Sequence, residues 1–163
     1  MSVAEVRALV ATVPDPELPV LSIDDLGVLR DVTVDAAGHV TVTLTPTYSG
    51  CPAMATMRDD LVHRLSDAGF DDVRVRVELH PAWSSDWITD RGRAALAEHG
   101  ISPPGAAPRG PVTRNLIPTR RSLQCPRCGS PAVDLTSEFG PAACKAIYRC
   151  TDCLEPFEHV KEI

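Results

Sequence analysis

Near its C-terminus the chain reads Cys125-Pro126-Arg127-Cys128-Gly129 and then, after the 21 residues 129–149, Cys150-Thr151-Asp152-Cys153. Two residues between cysteines let both sulfurs reach one ion from a single turn. A second such turn completes a tetrahedron with Zn–S contacts of ~2.3 Å. The spacing between the turns is slightly longer than in most ribbons and is easily closed by a hairpin. A segment of this size cannot build an apolar core unaided, so the metal must act as its staple. Four soft thiolates suit zinc, and they also suit a single iron or a cluster. Zinc is the expected structural ion, because a coreless module needs a constitutive, redox-inert one. Cys144 is left over and is expected to be a packing residue or an alternative ligand. His159 is expected on the surface.

The rest of the chain has different punctuation. Ser2 and Glu5 form a capping-box pattern ahead of Val6, Leu9, Val10 and Val13 at helical spacing, and the helix must stop before Pro14 and Pro16. "GVLRDVTV" and "HVTVTLT" read as strands joined by the turn residues "DAAG". A second helix fits 52–68, with Met54, Leu61, Leu65 and Ala68 on one face and Gly69 as its stop. "DVRVRVEL" alternates as a half-exposed strand, and a short helix fits 90–99 before Gly100. "SPPGAAPRGPVTRNLIPTR" has five prolines and neither period, so it reads as a linker. The expected organisation is an α+β protein: a small α/β domain over 1–101, a Pro-rich linker over 102–122 and a four-cysteine zinc-ribbon module over 123–163. The first domain should pack a sheet of three or more strands on its helices.

"TPTYSGCPAM" places Cys51 where the second helix begins. Unpaired N–H groups and the helix dipole at that end favour a thiolate, which makes a soft metal ligand or a nucleophile. Gly50 would let a ligand approach the backbone. The alternative is a small capping residue whose sulfur packs inward, and position alone does not choose between them. A Cys–His hydrolytic pair is disfavoured. His63 lies about 18 Å along the same helix at 1.5 Å per residue, and nothing marks His39 or His80 as a base with an orienting partner.

The string "DPELPVLSIDDLGVLRDV", followed by "TLTPTYSGCPAM", resembles the iron–sulfur cluster assembly domain family over about the first 80 residues. The matching positions are Asp15-Pro16-Glu17, Asp25-Leu26-Gly27, Thr45, Thr47 and Cys51-Pro52. In that family the matching cysteine handles iron or a cluster, which implies this role for Cys51. Asp15, Glu17, Thr45 and Thr47 would then shape its surroundings; read alone, Asp15 and Glu17 are solvated turn residues. Further on, "HPAWSSDWITDRGRAAL", "CPRCGS" and "SEFGPAACKAIYRCTDCLEPFEH" resemble the PaaD family, small accessory subunits encoded with phenylacetyl-CoA epoxidase. Pro141-Ala142 departs from the Ser-Thr pair expected there and leaves the four ribbon cysteines intact.

The resemblance implies an accessory factor, not itself catalytic, that assists iron or Fe–S assembly in a component of the epoxidase system, with the Fe–S reductase as the expected partner. No di-iron ligand pattern, flavin fingerprint or nicotinamide fingerprint is present. A zinc-stapled structural or docking subunit is the alternative, with Trp83 and Trp87 as packing anchors or docking residues. A nucleic-acid-binding ribbon would use Arg109, Arg114, Arg120, Arg121 and Arg127. Those arginines lack interleaved aromatics and the chain carries a net charge of -6, so no nucleic acid is expected. The first residues lack a signal peptide's basic start and apolar middle, and no apolar run approaches a membrane span. A cytoplasmic location without membrane contact is therefore expected, where cysteines serve as ligands or reactive thiols.

Overall fold

A computed structural model describes residues 1–109 and 123–163. The linker expectation for 110–122, and with it Arg114, Arg120 and Arg121, lies outside the described residues. The chain divides into two units, Met1–Gly92 and Arg93–Ile163. The boundary falls before the expected 101/102 junction because residues 101–105 bond within the second unit. Ser102 N donates to Glu158 O, Val160 N donates to Ser102 O, and Gly105 N donates to Glu162 Oε1. Among the described residues no helix is long and apolar enough to cross a membrane.

The first unit opens with α1 (Val3–Ala11), started by the expected capping box: Ser2 Oγ accepts from Glu5 N while Glu5 Oε2 accepts from Ser2 N at 2.7 Å. β1 (Leu29–Val34) and β2 (Val40–Leu44) form an antiparallel hairpin, closed by Asp35 Oδ1 accepting from the N–H groups of Ala37 and His39. α2 (Ala53–Asp67) then crosses over to β3 (Val73–Val77), which runs parallel to β2 and completes a sheet of order β1-β2-β3. Its valines meet Val40 and Val42 in register. Val6, Val10, Val32, Val40, Val42, Leu44, Met57, Leu61 and Leu65 are all buried, forming an aliphatic core between helices and sheet. At ~1.5–3 kcal/mol for each fully buried aliphatic side chain, such a core carries the fold without a metal.

The Asp25-Leu26-Gly27 turn is locked by the chain after β3. Burial opposes ionisation of Asp25, but hydrogen bonds from Arg91, Ser22 and Thr89 overcome it and hold the carboxyl below its usual range. Gly27 has φ +74, and a Cβ there would lie 2.6 Å from Trp87 Cβ, so only glycine fits. Trp83 is buried and donates Nε1–H to Leu26 O at 2.9 Å, while Arg30 lies 3.7 Å from the Trp87 ring centroid. Both tryptophans therefore have packing contacts.

Helix α3 (Asp90–Glu98) starts in the first unit and ends in the second. The second unit otherwise holds β4 (Val133–Ser137), β5 (Lys145–Cys150) and β6 (Pro156–Val160), an antiparallel sheet of order β4-β5-β6. Its apolar cluster is small: Leu123, Cys125, Cys150 and Phe157, with Val133, Tyr148 and Cys153 packed against it. His159 is a correction to the surface expectation. It is 1% exposed, with Nδ1 at 3.0 Å from Ser102 Oγ and Nε2 at 3.1 Å from Glu162 Oε1. A histidine on an alternating strand faces inward once a neighbouring segment supplies polar partners, and here that segment is 102–105.

Candidate metal centre and the Cys51 site

The two cysteine turns flank the ribbon's first hairpin. Cys125 and Cys128 precede β4, while Cys150 ends β5 and Cys153 follows it. The β4–β5 pairing aligns Val133 with Cys150 and so folds the 21-residue spacer back on itself. One sulfur from each residue lies within 4.8 Å of all the others, with Cys125–Cys153 at 3.7 Å and Cys128–Cys150 at 3.6 Å. An ion held at ~2.3 Å by four tetrahedral sulfurs would separate them by about 3.8 Å. The donor set therefore fits a single metal ion, whereas a multi-iron cluster needs its sulfurs farther apart.

The four crowded thiols do not ionise alike, and Cys153 is raised above its ordinary value. The Cys153 N–H aimed at Cys150 draws that thiol down to about 7. The Ser130 N–H favours the Cys128 thiolate, but burial and the three neighbouring thiols push it up to about 12. A divalent cation resolves this crowding by replacing the protons. Cys144 is buried outside the cluster, as a packing residue would be. The turns differ in one respect. Gly129 after the first has φ +74, and the equivalent residue after the second is Leu154, with φ 62 and 59% exposed.

Cys51 lies between β2 and α2, in a turn closed by Cys51 N donating to Tyr48 O at 3.3 Å. Gly50 supplies the φ of +81 that the turn requires, and open space surrounds the position a Cβ would take. Pro52 is the helix cap, with Ala53 the first helical residue. The Cys51 sulfur sits 3.8 Å from Glu17 Oε2, and Tyr48 Oη sits 3.5 Å from Glu17 Oε1. Asp15 Oδ1 accepts from the N–H groups of Glu17 and Leu18 at 2.7 and 2.8 Å, which holds the acidic loop in shape. Asp15 is buried, only 3% exposed, so a simple solvated turn is not its environment. Thr45 and Thr47 are buried on the chain leading to the turn, and among the described residues no hydrogen bond joins either to Cys51.

The expected low thiol pKa is corrected here. Burial pushes the Cys51 thiol up, and the nearby Glu17 and Asp15 charges push it further, outweighing the Ala53 N–H and the Tyr48 hydroxyl. Backbone dipoles at the helix start favour a thiolate, but desolvation and two carboxylates 34 and 36 residues upstream decide the sign. Tyr48 is the participant that sequence reasoning missed; its only signal was an aromatic ring three residues before the cysteine.

A family model for iron-sulfur cluster assembly proteins matches residues 3–77, and a model for the PaaD zinc beta ribbon domain matches residues 109–161. Over 159 residues the chain is 45% identical to an Escherichia coli protein named as a component of 1,2-phenylacetyl-CoA epoxidase, covering 98% of this chain and 92% of that one. The chain belongs to the PaaD family. Outside that family, an Fe-S protein maturation auxiliary factor of Porphyromonas gingivalis is 32% identical over 93 residues, covering 56% of this chain and 88% of that one. Among solved structures, a DUF59 domain from Bacillus anthracis is similar with a TM-score of 0.54 and 30% identity, over 58% of this chain and 90% of its own. The maturation-factor and DUF59 likenesses each cover little more than half of this chain, whereas the PaaD likeness spans both units and includes the metal-binding ribbon.

Proposed function

We propose that this PaaD-family chain is an accessory factor of the phenylacetyl-CoA epoxidase system that assists iron or Fe–S assembly in a partner component. Cys51 is the residue that carries the cargo. The observation behind this reading is the Cys51 sulfur at 3.8 Å from the Glu17 carboxylate, in a turn opened by Gly50. A thiol beside a carboxylate offers one soft and one hard donor, a pair suited to ferrous iron. The raised thiol pKa fits a transient site. With no cation present the sulfur keeps its proton and is a poor nucleophile; an arriving ion offsets the Glu17 and Asp15 charges and displaces that proton. Asp15 acts through the loop it shapes, and Thr45 and Thr47 support the end of β2 beneath the turn. The ribbon ion is zinc, held by Cys125, Cys128, Cys150 and Cys153 as a structural staple, and the recipient is the Fe–S reductase component.

The test is the iron and sulfide content of that reductase when co-produced with wild-type chain or with Cys51→Ser. The variant should retain its fold and its ribbon zinc while reductase occupancy falls. Equal occupancy would overturn the cargo role and leave a zinc-stapled docking subunit.

A further inference from the structure

The two edges of the first sheet are finished differently. β1 carries a register irregularity between Leu29 and Asp31, and Leu29 N donates to Ile23 O, so a loop covers its start. β3 has no bulge and no proline, and among the described residues no strand pairs with its far side. The ladder to β2 includes Val40 N donating to Asp72 O and Glu78 N donating to Leu44 O, so it continues one residue past β3. In a parallel ladder alternate residues bond to the same neighbour. Residues 72, 74, 76 and 78 thus face β2, the backbone groups of Val73, Val75 and Val77 face outwards, and the same alternation carried past the strand turns Leu79 outwards too. Val77 and Leu79 are also 43% and 50% exposed, an apolar pair on an open edge.

We infer that this edge pairs with the same edge of a second copy, antiparallel about a two-fold axis at Val77. Only residues with outward backbone groups form the hydrogen-bonded pairs, so Val77 meets Val77 and Val75 meets Leu79 of the other copy, twice. The closer, non-hydrogen-bonded pairs then bring Arg76 opposite Glu78, also twice, while Arg74 meets His80. Arg76 and Glu78 are both exposed, and among the described residues neither has an ion-pair partner within the chain. Centring the axis on Val75 instead would set Arg74 against Arg76 in two repulsive pairs. Centring it on Arg76 would set that residue against itself. Of these three registers, the one at Val77 satisfies the charges and covers both exposed apolar side chains, and two-fold pairing of one patch with itself closes without further growth. This dimer is independent of the role of Cys51.

Sedimentation velocity of the full chain, with reductant and over a concentration series, tests the pairing. A reversible dimer should form in the micromolar range expected of a small interface. Arg76→Glu and Glu78→Arg should each weaken it about tenfold, because each turns two attractive cross-strand pairs into repulsive ones. The double reversal R76E/E78R should restore it, and hydrogen exchange at the Val75, Val77 and Leu79 amides should slow as the dimer forms. These positions are exposed, so the variants should fold, and unchanged ribbon metal content and circular dichroism check this. A monomer at every concentration would overturn the proposal, as would a dimer that the single reversals leave intact or that the double reversal fails to restore.

Discussion

The two units solve the same problem with different chemistry. The first buries Val6, Val10, Leu44, Met57, Leu61 and Leu65 to 1% exposure or less, so each helix has an aliphatic face against the sheet. The second has three strands of similar length, yet its apolar cluster is Leu123 and Phe157 with two cysteines, and Val133, Tyr148 and Cys153 beside them. Sulfur takes the place of hydrocarbon there. A sheet that cannot bury enough apolar surface to offset its conformational entropy needs an ion that binds only the folded form. The first unit spreads its burial over many aliphatic side chains, whereas the second gathers four sulfurs at one point.

The largest expected effect breaks the second unit alone. Cys150→Ser, or a strong chelator, removes the staple, and binding free energies of ~10–16 kcal/mol for structural zinc show how much folding can depend on it. Hydrogen exchange should show β4, β5 and β6 losing protection while β1, β2 and β3 keep theirs. Full metal content and unchanged protection in Cys150→Ser would refute the four-thiolate assignment.

The converse experiment targets the first unit. Leu61→Ala opens a cavity on the buried face of α2 and should cost about 2–5 kcal/mol. Thermal unfolding followed at α2 and the first sheet should shift downwards, with the metal content of the ribbon unchanged. Metal loss in step with that unfolding would show that the two units do not hold themselves together separately.

The smallest effect sharpens the comparison inside the ribbon. Gly129 and Leu154 occupy equivalent places after the two cysteine turns, both with positive φ. An L side chain in that conformation costs ~1 kcal/mol, which glycine avoids at some entropic expense in the unfolded chain. Leu154→Gly should therefore raise the ribbon's unfolding midpoint in denaturant by a free energy of up to about 1 kcal/mol. A drop would mean that the exposed leucine contributes packing that outweighs its backbone strain.

Much of the local structure was legible because its causes are local. The Ser2–Glu5 cap, the "DAAG" hairpin, the helix ending before Gly69 and the alternation of β3 each depend on residues a few positions apart. The clustering of Cys125, Cys128, Cys150 and Cys153 was legible for the same reason, since each pair sits in one turn. The acidic loop was visible as a family motif, but not as a carboxylate beside a thiol. Burial of His159 escaped notice because it depends on Ser102, 57 residues away, bonding to the last strand.

The sequence by itself determined which segments become helices, strands and cysteine turns, because periodicity, caps and C-x-x-C spacing act over one or two turns of chain. Tertiary structure alone decided the character of Cys51. Helix-start geometry argues for a thiolate, but the folded chain buries the sulfur and brings Glu17 to 3.8 Å and Asp15 close by, and these reverse the sign. It also decided which strand edge is covered and which is open. Desolvation and Coulomb energy depend on distance through space, and neighbours 34 residues apart in the chain become neighbours only when the fold closes.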